Sequence, residues 1–415
     1  MLLLYRLLVN LTLLFSPFII FIRLLNGKEH PKRFLEKYGI ESKNRATGKL
    51  IWFHGSSVGE ILSVIPLIEK LEKNKNISQI LLTSNTLSSS KVFKNFKLKK
   101  TIHQFFPIDS SLIVNKFLNY WKPSLVVFVE SEIWPNMILK ISKKKIPLIL
   151  INARITKKTF KKWDKISSFS KNIFEKFDLC LSQNDETNVF LKNLGVRKIE
   201  KVGNLKFSES SLKINKSLDY NTKKFLKSKK ILIAGVSTHK SEEIFCAKVF
   251  EKLKVSIKNG ILLIIPRHID RSTEIAKEMK NFGLNVHLHS SKTKILNDTN
   301  VYLVDTFGET KLFLRHCNWV FMGGSLINHG GQNPLEPARL GCKIIHGPFI
   351  DNFKEVYALM KNSKISYEIK NINKANEYIL RQLKKNVNSK KNIKIINSLG
   401  YEILNNNQKE LSKYI

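Results

Sequence analysis

Residues 50–60 read Leu50-Ile-Trp-Phe-His-Gly-Ser-Ser-Val-Gly-Glu60. Leu50–His54 is an uncharged run, too continuously apolar for a strand with one wet face. Gly55 permits a tight exit, Gly59 lets the following segment pack closely, and Val58–Glu72 has helical periodicity. Buried strand, short loop and amphipathic helix together make the building unit of a parallel sheet covered on both faces. Working outward, the same pattern recurs at Gln79–Thr83, Leu125–Val129, Leu148–Asn152 and Leu179–Ser182, with a further helical stretch at Asn136–Lys145. After Gly203 it breaks, and Ser208–Lys230 is polar and lysine-rich, a linker with a short helix. A second series follows at Lys230–Ala234, Gly260–Ile265, Val301–Val304, Trp319–Met322 and Lys343–His346. The predicted fold is α/β, two Rossmann-like domains facing a cleft, with ligands beyond the carboxyl ends of the strands.

The 415 residues carry 71 Lys+Arg against 33 Asp+Glu, a formal net charge of +38. An apolar fraction of 43% excludes a disordered chain. The four cysteines form no C-x-x-C pair, which excludes a disulfide scaffold or zinc ribbon and fits a reducing compartment. The lysines are scattered over loops and helix ends. They fit a compositional bias, an anionic lipid partner or nucleic acid, but no basic-aromatic RNA motif, zinc finger or basic zipper accompanies them. Leu7–Ile22 is an apolar run of roughly 16 residues against about 20 needed to span a bilayer. No small-residue cleavage site follows it. An uncleaved anchor, shallow or spanning, is predicted for residues 1–25, against a signal peptide or a buried first helix. Arg23, Lys28, Lys32, Arg33 and Lys37 behind it predict a cytoplasmic location for the bulk of the chain.

Chemistry is expected in the strand-to-helix loops. Glu60 either complements a helix dipole or serves as a general base on a hydroxyl. Glu130-Ser-Glu-Ile-Trp-Pro-Asn136 puts two carboxylates at a strand end, where at least one should face the cleft. Asn152-Ala-Arg154 and Gly203-Asn-Leu-Lys-Phe207 offer cations, Lys206 among them. No D-x-D motif is present, so no metal site is expected. In the second half, Arg267 of Ile265-Pro-Arg-His268 suits a phosphate. Asn333-Pro-Leu-Glu336 reads as a helix start with Asn333 as N-cap, Pro334 at N1 and Glu336 at N3. With Gly323, Gly324, Gly330 and Gly331 before it, this segment suits a nucleotide, Glu336 on the ribose and the helix start facing the phosphate.

These motifs in this order (HGSSVGE, ESEIWPN, NAR, GNLKF, STHKSEE, PRH, VDTFGE, MGGSL, GGQNPLEP, GPF) resemble the bacterial 3-deoxy-D-manno-octulosonic acid (Kdo) transferases over nearly the whole chain. The resemblance implies a GT-B glycosyltransferase with an N-terminal membrane anchor at the inner membrane, inverting and metal-independent, needing no cofactor. It would move Kdo from CMP-Kdo to lipid IVA, the tetraacylated lipid A precursor, with anionic membrane lipids as further partners and nucleic acid as none. It also implies an acceptor domain over 26–207, a linker over 208–229, a CMP-Kdo domain over 230–385 and a helical tail over 386–415. Glu60 then matches the general base, and Glu130 and Lys206 match groups that assist the transition state. Pro266, Arg267, Phe307, Gly308, Glu309, Asn333, Pro334, Leu335 and Glu336 match the CMP site. Gln332, Ser241 and Ile269-Asp-Arg271 depart from the family pattern beside these positions. The alternatives are a GT-B enzyme that uses UDP-sugars, such as the lipid A disaccharide synthase or the peptidoglycan N-acetylglucosaminyltransferase, and a membrane-tethered nucleic-acid-binding protein.

Overall fold

Every apolar run read above as a strand forms one in the computed structural model, which describes residues 1–208, 217–383 and 389–415. The first sheet comprises β1 (Leu50–His54), β2 (Gln79–Ser84), β3 (Thr101–Phe105), β4 (Leu125–Val129), β5 (Leu148–Ala153), β6 (Leu179–Ser182) and β7 (Ile199–Lys201). All neighbours are parallel, in the order β3-β2-β1-β4-β5-β6-β7. The second comprises β8 (Lys230–Thr238), β9 (Gly260–Pro266), β10 (Val286–Leu288), β11 (Val301–Leu303), β12 (Trp319–Met322), β13 (Lys343–His346) and β14 (Ser366–Glu368). It too is parallel, in the order β10-β11-β9-β8-β12-β13-β14.

Strand order reverses once in each sheet, between β1 and β4 and between β8 and β12. At such a switch point the loops leaving two adjacent strands diverge to opposite faces and open a crevice. The register places His54 beside Phe128 and Phe321 beside Gly235, so the loops after these strands start level with one another. Trp52 on β1 is fully buried, its ring 4.8 Å from Phe117 and 5.6 Å from Phe128. Burial of one such side chain contributes on the order of 2–3 kcal/mol, and it fixes the strand whose end carries the site.

The four strands that the sequence reading omits, β3, β7, β10 and β14, are the edge strands of the two sheets. An edge strand is paired on one side only and is partly wet, so it needs no continuous apolar run. Ile199–Lys201 has no buried residue at all. Of the expected linker, 209–216 lie outside the described residues, and Tyr220–Ser228 is a helix capped by Asp219, whose side chain accepts from Thr222 N at 3.0 Å.

The chain divides into two compact units, Met1–Ile214 with Leu399–Ile415, and Asn215–Ser398. The expected C-terminal tail therefore does not stand apart. Residues 386–388 of it lie outside the described residues, and the helix Ser389–Ser412 carries the chain back into the first unit. There Ser208 Oγ donates to Gly400 O at 2.9 Å, and Ile403 fills the space over Gly203. A Cβ on Gly400 would overlap the Phe207 carbonyl, next to Lys206. Gly400→Ala is expected to lower stability by about 1–3 kcal/mol, read from the urea midpoint; an unchanged midpoint would show that this helix is not wedged against residues 205–207.

Candidate active site

The loops at the first switch point bring together three carboxylates. Ser57 caps helix α2 (Val58–Leu71), accepting from Glu60 N at 3.3 Å. Glu60 folds back over the loop, where Oε2 accepts from Ser56 N at 2.6 Å and Oε1 from Ser57 Oγ at 3.0 Å. This is a capping arrangement, yet it differs electrostatically from an ordinary cap. Burial, with Glu132 and then Glu130 adding repulsion, raises the Glu60 carboxyl from its usual 4.5 to about 7. A carboxylate so poised can take a proton near neutrality.

Glu132, after β4, reaches back across the switch point. Its Oε2 accepts from His54 Nε2 at 3.0 Å, Ser56 Oγ at 2.9 Å and Trp134 Nε1 at 2.8 Å. Burial pushes this carboxyl up, but the donors led by His54 outweigh it and hold the group below the ordinary carboxylate range. Glu132 is thus a fixed negative charge tying the β1 loop to the β4 loop. Nearby, Glu130 Oε1 pairs with Lys206 Nζ at 2.6 Å. Glu130 holds a left-handed backbone at φ 58°, as does Asn152 at φ 51°, a conformation that costs a non-glycine residue about 1–2 kcal/mol. Asn152 donates to Glu130 Oε1 at 3.3 Å and accepts from Leu205 N at 2.9 Å. Asn204 Oδ1 accepts from Lys206 N at 2.9 Å. An amide network thereby seats the short helix Leu205–Phe207 and aims its lysine at Glu130. Glu60, Glu130 and Lys206, distant in sequence, are brought into one neighbourhood.

In the second unit a buried carboxylate again organises a switch point. Glu242 starts the helix Glu242–Ser256 and accepts four backbone N–H groups. They come from His239 at 3.0 Å, Gly324 at 2.7 Å, Ser325 at 3.0 Å and Leu326 at 3.0 Å. Gly323 packs where a Cβ would overlap the Ser237 carbonyl, and Gly324 needs φ +66°. Ser241, which departs from the pattern that the resemblance implies, takes φ 77°, a left-handed backbone that costs a non-glycine residue. Around these loops the field is positive. The His239 ring centroid lies 4.4 Å from His329 and 5.8 Å from His268. Burial, then His329, His268, Arg267 and Arg271, pushes the His239 imidazole down to about 4. Such a surround favours an anion.

Arg267 is exposed beyond the end of β9, and Pro266, the last residue of β9, is buried. Phe307 is 86% exposed and precedes Gly308, at φ +82° with open space where a Cβ would sit. Glu309 is already engaged, 3.3 Å from His289 Nε2 and accepting from Thr306 Oγ1 at 2.5 Å. The expected helix start is displaced. The helix runs Leu335–Arg339, and Asn333 Oδ1 accepts from Leu335 N at 3.1 Å, so Pro334 precedes the helix instead of opening it. Pro334 and Leu335 are buried, whereas Asn333 and Glu336 are exposed. A five-residue helix also has too few aligned peptides for a sizeable dipole toward a phosphate.

Glu132 enters the sequence reading only as the second carboxylate of a pair, and His54, Asn152 and Glu242 have no role of their own there. Glu132 had a signal, its i, i+2 spacing from Glu130 at a strand end. Among the described residues no group of three or more His, Cys, Asp or Glu side chains is arranged to hold a metal ion.

Residues 32–209 match the family model described as 3-Deoxy-D-manno-octulosonic-acid transferase (kdotransferase). Along 96% of its length the chain is 31% identical to the 3-deoxy-D-manno-octulosonic acid transferase of Rickettsia bellii, covering 94% of that protein. Among solved structures, a putative UDP-N-acetylglucosamine 2-epimerase from Listeria monocytogenes superposes with TM-score 0.61 at 13% identity, over 88% of this chain and 98% of that one. The glycotransferase of kitacinnamycin superposes with TM-score 0.54 at 10% identity, over 89% of this chain and all of that one. The structural likeness bears on the fold alone, and that fold is the two-domain Rossmann-like architecture of GT-B glycosyltransferases.

Glu60 makes stability depend on pH. Its raised folded-state pKa gives stability that is fully present below 4.5 and lost as pH rises through about 7. Glu60→Gln does not titrate, so its thermal midpoint is expected to overtake that of the wild type progressively between pH 4.5 and 7 and then hold a constant lead. A midpoint difference independent of pH would mean that Glu60 is an ordinary solvated cap.

Proposed function

The chain belongs to the 3-deoxy-D-manno-octulosonic acid transferase family, and from that premise we propose that it moves Kdo from CMP-Kdo to lipid IVA by an inverting, metal-independent reaction. That the protein is a glycosyltransferase of lipopolysaccharide biosynthesis follows from the family; the donor, acceptor and stereochemical course are this reading. The observation that carries it is Glu60, a carboxylate raised to about 7 beside two others, one neutralised by Lys206 and one held by His54. Glu60 accepts the proton of the acceptor's primary hydroxyl as that oxygen bonds to the anomeric carbon of Kdo. The bond from that carbon to the phosphate oxygen breaks, and CMP leaves with the electron pair. Glu130, aimed by Asn152 and paired with Lys206, stabilises the charge that develops. The first unit serves the acceptor. The second holds CMP, with Arg267 on the phosphate and Glu336 on the ribose.

A monophosphate leaving group needs no pyrophosphate clamp, which suits donor loops without D-x-D. The acceptor carries two phosphates in an anionic membrane, and the +38 balance suits that surface. The N-terminal helix Leu2–Leu25 is long and apolar enough to cross a membrane. In this reading it holds the enzyme at the cytoplasmic face of the inner membrane, with anionic lipids as partners and no role for nucleic acid.

Incubation with CMP-Kdo and lipid IVA, followed by mass spectrometry of the lipid, should show addition of Kdo; product from a UDP-sugar with none from CMP-Kdo would overturn the reading. Glu60→Gln should retain CMP and lose roughly 10²–10⁴-fold in turnover. The wild-type rate should fall as pH drops below about 7, where Glu60 becomes protonated; full turnover in a folded Gln variant would remove Glu60 from the mechanism. Arg267→Ala should weaken CMP by on the order of 1–3 kcal/mol, the worth of a charged hydrogen bond, in equilibrium binding, and a loss confined to acceptor affinity would place the nucleotide elsewhere.

A further inference from the structure

The N-terminal helix, α1 (Leu2–Leu25), divides sharply into two faces. Tyr5, Val9, Leu13, Ser16, Ile20 and Arg23 recur every three or four residues and are buried or half-buried. Polar contacts mark this stripe from end to end. Tyr5 Oη donates to Asp109 Oδ2 at 2.6 Å, Arg6 Nε to Asn136 Oδ1 at 3.0 Å, and Arg23 Nε to Glu29 Oε2 at 2.9 Å; Ser16 Oγ lies 2.9 Å from Tyr38 Oη. Asp109 is itself rooted, buried and accepting from Asn136 N at 3.0 Å and Met137 N at 2.8 Å. At the 100° step of a helix, the opposite arc carries Leu3, Leu7, Leu11, Leu14, Phe18 and Leu25, all between 51% and 80% exposed.

Length and composition permit α1 to cross a bilayer; the docked stripe does not. From Tyr5 to Arg23 the helix rises about 27 Å, close to the ~30 Å of a hydrocarbon core. A spanning helix needs lipid, or a satisfied partner, around it over that whole length. Here one side is occupied by the first unit throughout, and crossing would either break the contacts of Tyr5, Arg6 and Ser16 with Asp109, Asn136 and Tyr38 or drag those partners into hydrocarbon. We propose that α1 lies in the plane of the membrane surface as a monotopic helix, its outer apolar arc at the headgroup–acyl boundary and its inner stripe on the protein. Partner and geometry follow from the same observation, an uncharged apolar arc backed by protein. One consequence bears on the site. Leu4, Tyr5 and Leu8 wall one side of an apolar cavity of about 360 Å³ whose other side includes Trp134, Trp163 and Phe169. Trp134 donates to Glu132, so an in-plane α1 brings the β4 loop to the depth of the lipid surface, where the sugar of a lipid acceptor lies.

This inference rests on the membrane attachment proposed above. Leu3, Leu14 and Leu25 are spaced by 11 residues, about three turns, and share the outer face. All four native cysteines are buried, so nitroxides on full-length Leu3→Cys, Leu14→Cys and Leu25→Cys report these sites alone. Depth is measured in vesicles of phosphatidylethanolamine and phosphatidylglycerol by oxygen and nickel-chelate accessibility. The expected result is three similar depths, within roughly 5–10 Å of the headgroup boundary. A spanning helix would separate neighbouring labels by about 16 Å along the membrane normal, with Leu14→Cys at the centre, and would overturn the in-plane arrangement while leaving attachment intact. Failure of the full chain to bind these vesicles would overturn both, and Kdo transfer to detergent-dispersed acceptor tests the catalytic reading separately.

Discussion

Glu132 in the first unit and Glu242 in the second do the same physical job, each bridging the two loops that diverge at a switch point. Glu132 reaches from beyond the end of β4 to His54 and Ser56, and Glu242 reaches from the start of the helix after β8 to three amides after β12. Loops that leave a sheet in opposite directions have no regular backbone pairing to hold them in register. A buried carboxylate with several converging donors supplies that pairing, because unmaking it would strand both the charge and the donors. Beside these two ties, Glu60 returns over its own loop and Gly323 approaches Ser237 closely.

Fixing Glu132 as an anion has a consequence for its neighbour. Burial already disfavours the charged form of Glu60, and repulsion from the other two carboxylates adds to it, since Glu60 is the one without a basic partner in the contacts described above. Glu130 is neutralised by Lys206 and Glu132 is surrounded by donors, whereas among the described residues Glu60 accepts from the Ser56 amide and the Ser57 hydroxyl. The outcome is a carboxylate with a pKa near neutrality, the property that the proposed acid–base role requires. The left-handed backbones at Glu130 and Asn152 also hold strain at the strand ends that frame the lysine.

The second unit solves a different problem with similar means. Its loops carry few committed charges of their own at the surface, and imidazoles and guanidiniums crowd a site whose natural complement is an anion. Arg271 is drawn off by Glu243 at 3.0 Å and Glu274 at 3.3 Å, which leaves the exposed Arg267 as the more accessible guanidinium of this pair. Lysines spread across the rest of the chain add a diffuse positive potential, one that attracts an anionic surface without specifying an orientation. Orientation has to come from a structured element, and α1, apolar on one face and tied down on the other, has that character.

The sequence by itself determined the two parallel sheets, because strands buried on both faces must be continuously apolar and ten of fourteen announced themselves that way. Through the order of its motifs it also determined the family. The edge strands were illegible because a half-wet strand such as Ile199–Lys201 obeys no strict pattern. What Glu132 and Glu242 do was illegible for a deeper reason. Whether a carboxylate is a base, a fixed anion or a loop tie depends on which donors converge on it, and those donors come from segments as much as 84 residues away. The same holds for α1, whose composition suits spanning and lying flat equally, since only the tertiary contacts of Tyr5, Arg6, Ser16 and Arg23 show that one face is already occupied.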